Sequence, residues 1–149
     1  MNQPQAGALE TRIRDDLNTA RRARDKQNTT LLSTILSEIK NQKIEAGHEL
    51  SDAEVTDVLT RAIKKRREAA EQMRAGQRTE LAETEEREAA TLTGYLPPQM
   101  SEADVRQLVR EAVAGGAANV GAVMKEIAPQ IKGRFDGKEA NRIVREEIG

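Results

Sequence analysis

The chain has no cysteine and no tryptophan, and only one phenylalanine, one tyrosine and one histidine among its 149 residues. Each scarcity removes a class of chemistry or fold. Without cysteine there is no disulfide framework, no thiolate nucleophile and no sulfur-ligated zinc site. Phe135 and Tyr95 alone cannot supply the set of rings on which single-stranded bases stack. The remaining apolar residues are almost all aliphatic or alanine. They suit helices packed closely on helices better than a sheet, which draws on aromatic and β-branched side chains. No apolar run reaches membrane-spanning length, and the opening MNQPQAGALETRIR has no apolar core of a secretory signal. The expected compartment is therefore the cytoplasm, with no membrane partner. Charge of one sign is also missing. The net charge is −1 although 33% of residues are charged, so the chain as a whole is not an electrostatic trap for nucleic acid.

What is present is helical periodicity. Residues 1–7, polar with Pro4 and Gly7, are expected to fray. Leu9, Ile13, Leu17 and Ala20 mark a first helix, and Leu31, Leu32, Ile35, Leu36 and Ile39 a second that stops at Gly47. The polar stretch from Asp25 to Thr30 predicts the turn between them. Ser51 with Glu54 forms a capping-box pattern opening a long helix that Gly76 ends or interrupts. The next helix carries a thin stripe of Leu81, Leu92, Tyr95 and Leu96. Pro97-Pro98 then stops helical structure and divides the chain into domains over residues 1–96 and 97–149.

Beyond the prolines, Ser101 with Asp104 caps a short helix, and Asn119 caps another that Pro129 should kink or shorten. Gly133 ends that helix, and Asp136 with Glu139 repeats the capping-box pattern for the last. The fold class is all-α: about four helices in long hairpins, followed by a compact three-helix tail.

No catalytic constellation stands out. His48, beside the Gly47 turn, has no nucleophile or orienting carboxylate near it in sequence and reads as an exposed turn residue. The Glu80 to Glu88 stretch lacks the Glu-x-x-His pattern of bundle metal sites and reads as a solvated helix face. No cofactor is implied. The basic residues carry more information. Between Arg61 and Arg78 lie seven cations against Glu68 and Glu71. A hairpin near Gly76 would set them against the acids that follow, for mutual pairing or as a phosphate-binding face, with Lys64, Lys65, Arg66 and Arg67 at its centre. In the tail, Lys132, Arg134 and Lys138 cluster around the last interhelical turn. Arg142 and Arg145 follow Lys138 at helical spacing, beside the amide-rich start of the last helix.

Three ordered motifs carry a resemblance: Leu96-Pro97-Pro98-Gln99, Val123-Met124 within Val120 to Met124, and Lys132-Gly133-Arg134-Phe135-Asp136-Gly137-Lys138. With the Lys64 to Glu68 helix upstream, this set resembles the GatB/YqeY family across nearly the whole chain. That family covers the C-terminal tail of the B subunit of glutamine-dependent Asp/Glu-tRNA amidotransferase, together with small free-standing YqeY-like proteins. The resemblance implies an all-helical fold and a tail that helps hold tRNA while catalysis occurs in other subunits. Carbon–nitrogen ligase activity with glutamine as donor would then belong to the complex. This chain would be a non-catalytic, tRNA-associated adaptor for an amidotransferase or an aminoacyl-tRNA synthetase-type partner. The matching positions that would meet phosphate are Lys125, Lys132, Arg134, Lys138 and Arg142. Phe135 stands where relatives often carry a small residue, either as a core plug or as an exposed ring. The competing reading is a protein–protein interaction module that binds no RNA.

Overall fold

A computed structural model describes residues 7–149, which form seven helices. They are α1 (Ala8–Arg22), α2 (Lys26–Ala46), α3 (Asp52–Ala75), α4 (Thr79–Thr93), α5 (Glu102–Ala114), α6 (Val120–Ile131) and α7 (Gly137–Ile148). The chain divides into two compact units, the first ending at Tyr95 and the second running from Leu96 to Gly149. The fraying expected for residues 1–7 falls, apart from Gly7, outside the described residues. Gly7 itself is the N-cap of α1.

The first unit consists of two hairpins, α1 with α2 and α3 with α4, packed less extensively on each other. Ile13, Leu17, Ile35, Ile39, Val55 and Leu59 are buried in this unit. Farther along the second hairpin, Ala70, Ala82 and Ala89 are buried. Small side chains there let the two axes approach closely. Ala82, not Leu81, is the inward residue: Leu81 is 51% exposed, one helical position off the stripe expected for it.

Local chemistry sets the boundaries. The Asp25 carboxylate accepts from the Asn28 amide, so α2 begins at Lys26 and the Thr29-Thr30 pair lies inside its first turns. The break expected over residues 25–30 is therefore confined to the short turn through Arg24, whose φ is +58°. The Ser51 and Ser101 capping boxes form reciprocally with Glu54 and Asp104. α3 stops at Gly76, as its position in the sequence predicts. Gly76 keeps a right-handed φ of −88°, and Gln77 takes the left-handed position at φ +61°.

In the tail unit, Val105, Val109, Val123, Ile127, Ile143 and Val144 are fully buried around one core. Pro129 does not stop α6, which runs on to Ile131, and Gly133 turns the chain at φ +73°. Phe135 is half-buried against the core edge. Only half of the third capping box forms. Asp136 accepts from the Glu139 amide, while the Glu139 carboxylate turns to Arg142.

Candidate nucleic-acid interface

The tail presents its cations in three different ways, and the α6–α7 turn explains the first. Arg134 donates from Nε to the Pro98 carbonyl at 2.9 Å and from a terminal nitrogen to the Gln130 carbonyl at 3.4 Å, while its own carbonyl accepts from the Met100 amide at 2.9 Å. Gln99 Nε2 donates to the Gly133 carbonyl at 2.8 Å and to Pro97 at 3.0 Å. The proline segment is thus stapled to the turn, and Arg134 serves as one of the staples.

The second group is neutralised. Arg142 lies 2.9 Å from Glu139, 2.6 Å from Glu146 and 3.5 Å from Glu102. Arg106 meets Glu102, Glu146 and Glu147, and Arg110 adds to Glu147. The network joins α5 to α7. Hydrogen bonds that Arg142 donates to Glu139 and then Glu146 raise it above its ordinary pKa, and Arg106 is raised chiefly by its bond to Glu146. The same pairing lowers Glu102, Glu146 and Glu147, with Arg106 the leading cause for the first two and Arg110 for the third.

The third group, Lys138 and Arg145, is open. Lys138, Arg142 and Arg145 line one shallow groove of about 550 Å³ on α7, with Asn141 beside them and Glu146 as its one acid. Lys138 and Arg145 are exposed and make no ion pair among the described residues. Lys125 is exposed on α6 and Lys132 caps its end; neither lines this groove. The five positions taken from the resemblance are therefore not one surface. Lys138 and Arg142 come together, Arg134 is turned to backbone carbonyls, and Arg145 completes the groove as its spacing predicts. Asp136 already occupies the α7 N-terminus that was expected to add positive potential. The staple partner Gln99 was visible only as a motif letter, because its bond spans a separation that no local pattern encodes.

The upstream basic run also divides. Arg66 turns to Glu88 on α4 at 3.0 Å and Arg74 pairs with Glu86, so part of the Glu-rich stretch is engaged in charge pairing. Lys64 and Lys65 join Arg61 on the opposite side, along the α2–α3 groove, and Arg67 is exposed. Lys64, Lys65, Arg66 and Arg67 are not a single face, because consecutive helical residues point about 100° apart. His48 is exposed, and its Nδ1 lies 2.7 Å from the Glu49 carbonyl, an acceptor only, so that nitrogen carries the proton.

Comparison with known proteins places these features in context. A family model described as Yqey-like protein matches residues 10–148. A protein of Clavispora lusitaniae named "Altered inheritance of mitochondria protein 41, mitochondrial" is 30% identical over 83% of this chain and 76% of its own length. A Pyrenophora tritici-repentis protein of the same name is 28% identical over 93% of this chain and 80% of its own length. An uncharacterized Schizosaccharomyces pombe protein is 37% identical over 62% of this chain and 76% of its own length. The mitochondrial names overturn the cytoplasmic expectation. The missing apolar core argued only against a secretory signal, whereas mitochondrial addresses are amphipathic and basic and need no such run.

Proposed function

The chain belongs to the Yqey-like family, and from that premise we propose that it is a non-catalytic, tRNA-associated adaptor. It holds tRNA by shape and phosphate contact and leaves chemistry to partner proteins of the amidotransferase or synthetase type. The observation that carries this reading is the α7 groove, where Lys138 and Arg145 stand exposed without ion-pair partners among the described residues and Arg142 lies between them. Exposed cations at that spacing meet successive backbone phosphates without reading base edges. The scarcity of aromatics fits recognition of a folded RNA rather than of stacked single strands.

The test is binding of the purified chain to bulk tRNA across a salt series. Micromolar affinity that falls as salt rises is expected. Absence of salt-dependent binding at micromolar protein refutes the proposal, and glutaminase activity from the pure chain refutes its non-catalytic part. The interaction-module reading draws on the α5–α7 network, which neutralises much of the tail's positive charge. Partners recovered from extracts that survive nuclease treatment would favour it; partners released by nuclease would favour RNA.

A further inference from the structure

Between α2 and α3 lies a groove of about 500 Å³ whose two walls carry opposite charge. The α2 wall bears Glu38 and Glu45, two negative charges seven residues apart. The α3 wall bears Arg61, Lys64, Lys65 and Glu68, two net positive charges. Val58 and Ala62, both 4% exposed, line it from below. None of the six charged residues makes an ion pair among the described residues. The contrast with the same helices elsewhere is clear: Arg66 is satisfied by Glu88, and Lys43 by Glu10 and Glu49.

This layout limits what can fill the groove. A phosphate backbone laid along it would gain on one wall and be repelled by Glu38 and Glu45 on the other. A partner must instead carry one basic and one acidic edge side by side, and this surface is itself such an object. A two-fold axis running along the groove places the acidic α2 wall of one copy over the basic α3 wall of the other, and does so twice. A two-fold axis across the groove would set like over like. We infer that the α2–α3 groove is a self-complementary surface through which two copies of this chain associate. The contact is polar, so the association is expected to weaken as salt rises.

Charge exchange tests the geometry directly. Glu38→Lys with Glu45→Lys makes both walls positive, and Lys64→Glu with Lys65→Glu makes both negative. Sedimentation velocity of the full chain at low salt should show concentration-dependent self-association that high salt reverses. Each double variant alone should associate more than ~10-fold more weakly. An equimolar mixture of the two should regain wild-type association, because each positive wall then meets a negative one. Circular dichroism must show both variants as helical as wild type; if one misfolds, the Lys64→Gln, Lys65→Gln and Glu38→Gln, Glu45→Gln pairs give the same comparison with a smaller effect. A wild type that stays monomeric at low salt overturns the inference. So does a mixture of folded variants that fails to associate. Loss of tRNA binding in the Lys64→Glu, Lys65→Glu variant with its association unchanged would assign the groove to RNA and also overturn it.

Discussion

Gln99 donates from its carboxamide to the Gly133 carbonyl at 2.8 Å, joining positions 34 residues apart. With Arg134 on the Pro98 carbonyl, it ties the proline segment to the turn before α7. Two motifs of the family resemblance thereby become halves of one structural clasp. Gln99→Ala is expected to destabilise the chain by about 1 kcal/mol, the usual net value of such a bond. Gly133→Ala adds a Cβ at φ +73° and is expected to cost about 1–2 kcal/mol. Denaturant midpoints measure both, and tRNA affinity should be unchanged in Gln99→Ala.

The clasp separates structural cations from open ones. Lys138→Glu with Arg145→Glu is expected to weaken tRNA binding and to lower the salt slope by up to about two, roughly one for each phosphate no longer neutralised. Stability should stay near wild type, since neither residue has an ion-pair partner among those described. Arg134→Ala should do the reverse, lowering the melting temperature with little change in the slope. Fluorescence anisotropy with labelled tRNA, paired with thermal melts, distinguishes the outcomes.

The tail core is expected to be self-sufficient. Residues 96–149 produced alone should fold, because the buried residues of this unit pack on one another. Ile143 is fully buried, and Ile143→Ala is expected to cost about 2–5 kcal/mol. In so small a unit that destabilisation should leave the fragment largely unfolded by circular dichroism.

The α3–α4 turn makes a prediction of opposite sign. Gln77 holds a left-handed conformation that glycine adopts without penalty, so Gln77→Gly should stabilise by about 0.5–1 kcal/mol. At right-handed Gly76 an added Cβ would meet nothing closer than 3.5 Å, so Gly76→Ala should be tolerated. Urea midpoints of the two variants check the pair.

Alkaline pH should destabilise the first unit through two identifiable groups. Burial lowers the Lys43 pKa, but hydrogen bonds and charge from Glu10 and Glu49 outweigh it and leave the group raised. Burial and the 2.5 Å hydrogen bond to Asp16 raise Tyr95, against the opposing charge of Arg12. Both groups hold protons more tightly folded than unfolded. Their contribution is complete below the ordinary pKa of about 10 and disappears as pH rises through the folded values. Stability measured at about pH 8 and about pH 11 should fall in the wild type and fall less in a Lys43→Met, Tyr95→Phe variant.

The seven helices and most of their caps were legible in the sequence because their causes are local. A capping serine, a stopping glycine and an apolar stripe act within one or two turns of backbone. Elsewhere the local signals were incomplete: Asp25 caps α2 within the expected break, and the left-handed position at Gln77 carries no mark in its residue type. The α1 N-terminus shows the limit more sharply, since its Leu9 amide is satisfied by Asp52, 43 residues away.

The charges followed the same division. Spacing alone aligned Lys138, Arg142 and Arg145 on one helical face. Arg142 meets its nearest acids, Glu139 and Glu146, on the same helix, whereas only the tertiary structure decided the fate of cations with distant partners: Arg134 reaches back to Pro98, Arg106 meets Glu146 and Glu147 from another helix, and Arg66 meets Glu88 across a hairpin. Helix formation depends on neighbours three and four residues apart. The fate of a long charged side chain depends on which helix packs beside it, and that was settled by burying the aliphatic stripes.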